Sequence, residues 1–212
     1  MSRHLLKSII DDTPVVAIIR RPKVDPGDCA IHFFENGIRL VEITMDTKGA
    51  IEVIESLRSH VPPSALLGAG TVTDIVRAEA ALKAGATFFV TPNINMEVIR
   101  IAMKNNIPIM PGAMTPTEIW TAAEAGAEYV KVFPASVVGP RYFRELRGPF
   151  PHIKLMASGG INAENAHDFI ASGADAIGIG GALVPKSGDD FDQCAEMIVK
   201  LIDITRKARL ER

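Results

Sequence analysis

Short apolar, β-rich runs alternate with longer amphipathic stretches along most of the chain. The short runs are PVVAIIR, IRLVEITM, ALLGAGTV, TFFVTPN, IPIMPGAM, YVKVFPA, IKLMASGG and AIGIGGAL. Between them lie stretches of helical character, among them DIVRAEAALKAGA, NMEVIRIAMKNN, PTEIWTAAEAGA and AENAHDFIASGA. Strand-then-helix units repeated in this way over 212 residues predict an α/β fold: a single (β/α)8 TIM barrel spanning residues 1–212. A doubly wound open sheet is the competing architecture. Ahead of the first strand, Leu5, Leu6, Ile9 and Ile10 recur at helical spacing and predict a short amphipathic helix over about residues 2–11.

A repeat separates the two architectures. ENGIRLVEI, KAGATFFVT, EAGAEYVKV and ASGADAIGI are four versions of one phrase, with glycines at Gly37, Gly85, Gly126 and Gly173. Each glycine suits a left-handed helix C-cap that turns the chain into the next strand. A two-unit module used four times closes into an eightfold barrel, whereas an open sheet has no reason for fourfold regularity. Counting five residues on from each glycine gives Glu42, Val90, Lys131 and Gly178. Inward residues from alternate strands of such a barrel stack in layers of four. Glu42 on the second strand is therefore expected to face Lys131 on the sixth, with Gly178 leaving room beside them.

A lysine inside a strand core is costly, because its ammonium loses water. A buried Lys–Glu pair can be purely structural, yet such a pair gains little over an apolar replacement. Desolvation among Tyr129, Val130, Val132 and Phe133 lowers the amine pKa, and a free amine can attack a carbonyl to form a Schiff base. A carboxylate across the cavity can move the protons that such steps require. Its charge also favours the ammonium form, so the two influences oppose one another.

The ends of the last two strands carry Gly159–Gly160 and Gly180–Gly181. Loops after these strands often hold phosphate in barrels of this type, and glycine lets backbone N–H groups approach an anion closely. Arg20, at the end of the first strand, is placed to clamp a carboxylate, although a surface arginine is an equal alternative. Thr71 adds a hydroxyl or caps the helix that starts near Asp74.

Composition narrows the field further. The hydrophobic share of 47%, the charged share of 23% and a net charge of -2 describe an ordinary globular chain with no basic footprint for nucleic acid. No apolar run is long enough to span a membrane, and MSRHLLKSIIDD has too short an apolar core for a signal peptide. Cys29 and Cys194 match no metal spacing and are expected to be reduced thiols of a cytoplasmic protein. The five histidines fall on helices or at helix and loop ends rather than at strand tips. That disfavours a metal-dependent epimerase. Trp120 is expected to pack against the barrel or a neighbouring subunit. Tyr129 is assigned to the bottom layer of the core. Arg141, Arg144 and Arg147 are expected on one solvated helix face.

In this order, GIRLVEITM, LLGAGTV, VTPN, IPIMPGAMTPTE, VKVFPA, GPF and SGGI resemble the 2-keto-3-deoxy-6-phosphogluconate / 4-hydroxy-2-oxoglutarate aldolases, from about Pro14 to Val184. These are class I, metal-independent pyruvate aldolases on a (β/α)8 barrel. The resemblance implies a small 2-keto-3-deoxy acid substrate, no cofactor and a homotrimer. It maps Lys131 onto the Schiff-base lysine, Glu42 onto the general acid/base and Arg20 onto a carboxylate-binding arginine. Thr71, Pro92 and Phe133 match pocket residues; Gly159, Gly160, Gly180 and Gly181 fall on the phosphate loops. The chain departs from the family at three positions. Asp46 stands where some members have a second carboxylate-binding arginine, leaving Arg20 to act alone. Ser158 replaces a threonine but keeps the hydroxyl. Gly181 replaces a serine and loses one phosphate donor. VTPNINMEVI is also similar to the branch acting on the galactonate epimer. Two further alternatives belong to other classes: a phosphate-binding isomerase or epimerase, and a non-catalytic sensor of a sugar-acid phosphate.

Overall fold

The computed structural model describes residues 2–212. Its parallel strands are β1 (Val15–Ile19), β2 (Leu40–Thr44), β3 (Leu66–Gly70), β4 (Phe89–Val90), β5 (Ile109–Met110), β6 (Gly112–Ala113), β7 (Val130–Val132), β8 (Leu155–Ser158) and β9 (Ala176–Ile179). The helices are α1 (Ser2–Asp12), α2 (Pro26–Glu35), α3 (Ala50–Leu57), α4 (Ile75–Ala84) and α5 (Met96–Lys104). After them come α6 (Pro116–Glu124), α7 (Ala135–Arg147), α8 (Ala166–Ala171) and α9 (Phe191–Leu210). The sheet order is β5-β4-β3-β2-β1-β9-β8-β7-β6. Its two outermost segments, β5 and β6, are consecutive in the chain and separated by Pro111 alone. They are two pieces of one strand, so the ring closes with eight strands and the open sheet is ruled out.

Pro111 accounts for the break, which the apolar pattern of IPIMPGAM does not reveal. Proline has no N–H to donate, so the ladder skips it, while its carbonyl accepts from the Lys131 N–H at 2.8 Å. Across the gap, the Gly112 N–H reaches the Thr91 hydroxyl at 3.4 Å instead of a strand carbonyl.

The register matches the barrel geometry. Followed once around the ring, the strand pairings return to β2 eight residues from their starting point, the shear of a (β/α)8 barrel. Two strands further on, the level inside the barrel advances by two residues relative to the ladder. On that count Glu42, Val90, Lys131 and Gly178 form one layer. All four repeat glycines lie in the left-handed region, with φ of 93°, 101°, 95° and 117° at Gly37, Gly85, Gly126 and Gly173. A side chain would be strained at each.

Two apolar cores flank the strand wall. The outer one lies between strands and helices and holds Phe33, Ile54, Phe143, Phe169 and Ile198. The inner one fills the lower barrel with Leu40, Leu66, Phe88, Tyr129 and Met156. Leu6, Ile9 and Ile10 of α1 belong to the inner core, so this helix plugs the N-terminal end of the barrel. Arg206 and Arg209 near the end of α9 hold it there through Asp12 and Asp11, each at 3.0 Å. With its base sealed, the barrel is open only at the C-terminal ends of its strands.

Arg147 departs from expectation. It does not lie on a solvated face: its guanidinium meets Asp175 at 2.6 Å and donates to the Gly173 and Ile153 carbonyls. Each i, i+3 step falls about 60° short of a full turn, so Arg147 lies about 120° round α7 from Arg141, on the flank of the buried Phe143 and Leu146. No helix among the described residues is long and apolar enough to cross a membrane.

Candidate active site

All eleven candidate residues line one cavity of about 450 Å³ at the C-terminal mouth of the barrel. Glu42 and Lys131 form its floor, in the strands β2 and β7. Both are buried, with relative exposures of 1% and 8%. No ion pair within 4.0 Å joins them among the described residues, so the cavity separates the two heads rather than being closed by their contact. The Lys131 Nζ stands 5.0 Å from the centre of the Phe133 ring, which walls it from above.

Burial governs the protonation of both groups. Desolvation lowers the Lys131 pKa, and the nearby Arg20 charge adds to this; the attraction of Glu42 works against it and loses. Desolvation likewise raises the Glu42 pKa over the opposing charges of Lys131 and Arg20. For both groups desolvation outweighs the attraction between them, so the Lys131 pKa goes down and the Glu42 pKa up. Glu42 Oε2 is buried and has no hydrogen-bond partner among the described residues, a cost consistent with a group kept for chemistry. Gly70 makes room for this carboxyl: a Cβ there would lie 2.5 Å from Glu42 Oε1.

This arrangement costs stability, and the sign follows from the shifts. A raised Glu42 pKa penalises the fold as pH climbs above the ordinary value of 4.5. A lowered Lys131 pKa penalises it as pH drops below 10.5. Between those limits both penalties act. The double variant Lys131→Met/Glu42→Gln is therefore expected to be more stable than the parent by about 1–4 kcal/mol near neutral pH. Chemical denaturation across the pH range should show that gain shrinking toward either extreme.

The rim carries the remaining candidates. Ser158, in β8, is buried at the wall, and a Cβ on Gly178 would come within 3.0 Å of its Oγ. Thr71 lines the cavity and does not cap α4, whose N-cap is Asp74. Gly159 and Gly160 have φ of 91° and 76°, and side chains there would run into Phe133 and Ser136. These two glycines, with Gly180 and Gly181, form the distal end of the cavity. Arg20 reaches Thr71 Oγ1 at 3.2 Å, but it does not stand alone: the Asp46 carboxylate lies 3.3 Å from its Nε.

Sequence reasoning passed over Asn162 and Ala182, which also line the distal end. Asn162 Oδ1 accepts from the Glu164 and Asn165 backbone N–H groups, an Asx turn ahead of α8. The signal was its place directly after SGGI. No cluster of three or more His, Cys, Asp or Glu among the described residues is placed to hold a metal ion.

Comparison with known proteins agrees with this geometry. The family profile "Aldolase: KDPG and KHG aldolase" matches residues 6–197. The chain is 33% identical to 2-dehydro-3-deoxy-6-phosphogalactonate aldolase of Escherichia coli K12, over 92% of this chain and 96% of that one. It is 34% identical to 2-dehydro-3-deoxy-phosphogluconate aldolase of Pseudomonas aeruginosa, over 87% and 83%. A crystal structure of a KDPG aldolase from Legionella pneumophila, with pyruvate captured as a covalent carbinolamine, superposes with a TM-score of 0.79 at 26% identity, covering 93% of this chain and 96% of that one. A closed eight-stranded barrel, a lysine and a glutamate on its floor, and a profile match over most of its length lead to one conclusion: the chain belongs to the KDPG and KHG aldolase family.

Proposed function

We propose that this protein is a class I aldolase that reversibly cleaves a 2-keto-3-deoxy sugar acid between C3 and C4. The substrates assigned are 2-keto-3-deoxy-6-phosphogluconate, giving pyruvate and glyceraldehyde 3-phosphate, and 4-hydroxy-2-oxoglutarate, giving pyruvate and glyoxylate. One observation carries the proposal: a buried amine and a buried acid line one cavity of about 450 Å³, large enough for such a substrate.

Lys131 Nζ, as the free amine, adds to the C2 ketone and forms a carbinolamine. Glu42, in its acid form, donates to the departing hydroxyl as water is lost and a cationic imine forms. The new positive charge stabilises the carboxylate just produced, which then takes the proton of the C4 hydroxyl. As C3–C4 breaks, its electron pair moves into the imine, the aldehyde leaves and an enamine remains. Protonation at C3 and hydrolysis release pyruvate and return the amine. Because the imine is the electron sink, the sequence needs no metal ion. A non-catalytic sensor would have no use for Lys131 and Glu42 on the same cavity floor.

Arg20 is assigned to the substrate carboxylate; Thr71, Pro92, Phe133 and Ser158 line the reacting end. The backbone N–H groups of Gly159, Gly160, Gly180 and Gly181 are assigned to the distal anion. Gly181 is the adjustable position there. A Cβ would meet nothing within 4 Å, so serine fits without strain. Gly181→Ser restores a hydroxyl donor, and one hydrogen bond to a charged group is worth about 1.5–3 kcal/mol. The KM for the phosphorylated substrate is expected to fall about tenfold, with that for 4-hydroxy-2-oxoglutarate unchanged.

A homotrimer is proposed as well, supported by the exposed Met114, Trp120 and Val137 on the α6–α7 side of the barrel. The two free cysteines support a cytoplasmic setting. The functional assignment is tested by following pyruvate release from both C4 epimers, with and without phosphate. Release from the gluconate-configured phosphate is the expected result. Release confined to the galactonate epimer moves the assignment to that branch, and no release from any substrate rejects it.

A further inference from the structure

We infer that Asp46 is a positioning residue that aims the Arg20 guanidinium at the substrate carboxylate; this rests on the Arg20 role proposed above. A guanidinium has five N–H donors in a rigid fork. In Arg20 the Nε–H faces the Asp46 carboxylate at 3.3 and 3.4 Å, and one Nη2 N–H is given to Thr71 Oγ1 at 3.2 Å. Three N–H groups are left at the end of the fork, with no partner among the described residues. These are the donors that a two-point carboxylate clamp uses. The Arg20 side chain is 50% exposed, so without a side-on tether it would have many orientations to lose on binding.

Asp46 is itself firmly held. Arg21 Nη2 meets its carboxylate at 2.8 Å, and Arg21 Nε lies 3.4 Å from its carbonyl. The Arg21 N–H donates to Thr47 Oγ1 at 3.0 Å, and Thr47 in turn shares a 3.0 Å hydrogen bond with Thr44 in β2. Burial would raise the Asp46 pKa, but the Thr44 hydroxyl and the charges of Arg20 and Arg21 hold it below the usual 3.8, so the tether stays ionised. Two backbone outliers mark the same spot. Arg21 and Thr71 adopt left-handed φ of 43° and 55° without being glycine. Such conformations are unfavourable for residues that carry a Cβ and persist where the surroundings enforce them. One strained residue anchors Asp46 and the other receives Arg20, so the strain serves the direction of a single guanidinium.

The test is a cycle of Asp46→Asn, Arg20→Ala and the double variant in the full chain, with KM and kcat measured separately for 2-keto-3-deoxy-6-phosphogluconate. Asp46→Asn is expected to raise KM about fivefold, with the smaller part of the loss in kcat. In the Arg20→Ala background the same change should move KM less than twofold. Asp46→Glu, which keeps the charge, should recover part of the affinity, and it serves as the readout if the asparagine variant does not fold. An unchanged or lower KM in Asp46→Asn overturns the inference, as does an equal effect with and without Arg20. A KM untouched by Arg20→Ala itself overturns the proposed role of Arg20, and the inference with it. A response to Arg20→Ala but not to Asp46→Asn refutes the inference alone.

Discussion

Replacing Lys131 by alanine is expected to lower kcat by roughly five orders of magnitude, the scale on which removal of a covalent nucleophile acts. No neighbour can stand in for it. Among the cavity-lining residues described, the only other cationic side chain is Arg20, whose delocalised guanidinium is no nucleophile for a ketone. The loss should appear in kcat, because the groups proposed to bind the ground state, Arg20 and the glycine loops, are left in place. The variant should also fold, since Lys131 makes no side-chain ion pair within 4.0 Å among the described residues and its removal takes a costly polar group out of the barrel interior. A steady-state assay beside a thermal melt reads both results. Substantial turnover in a folded Lys131→Ala protein would reject covalent catalysis here.

The second large effect is expected at Glu42. Glutamine has nearly the same shape and sits in the same space against Gly70, but it neither donates nor accepts the proton in transit. Loss of general acid–base help typically costs about 10²–10⁴ in rate, and kcat of Glu42→Gln should fall within that range. Two signatures separate this from mere disturbance of packing. The variant should still form the pyruvate imine, only more slowly, because Lys131 remains. The inflection of the kcat pH profile that belongs to Glu42, displaced upward by burial, should vanish. A Glu42→Gln enzyme with parental kcat would leave proton transfer to some other group.

Much of this architecture is legible in the chain because the barrel repeats itself. Four left-handed glycines mark equivalent helix ends, and counting from them places Glu42 and Lys131 in one layer. A lysine between strand hydrophobics stands out because burial of an ammonium is so costly. The features that escape notice depend on contacts between distant segments. The split at Pro111 needs the flanking ladders before it can be read as one strand rather than an end. Arg147 looks solvated by its i, i+3 spacing, but the angular drift of that spacing carries it onto Asp175. Asp46 looks like the loss of an arginine; its pairing with Arg20 comes from the neighbouring ends of the paired strands β1 and β2. Asn162 is an ordinary turn residue in sequence, and the cavity reveals its place.

The most direct measurement of covalent catalysis is reductive trapping. The protein is incubated with pyruvate and borohydride, digested and examined by mass spectrometry. A single stable pyruvyl adduct on Lys131, absent from Lys131→Ala, is the expected result. No adduct, or an adduct on another lysine in a protein that still turns over, would contradict it.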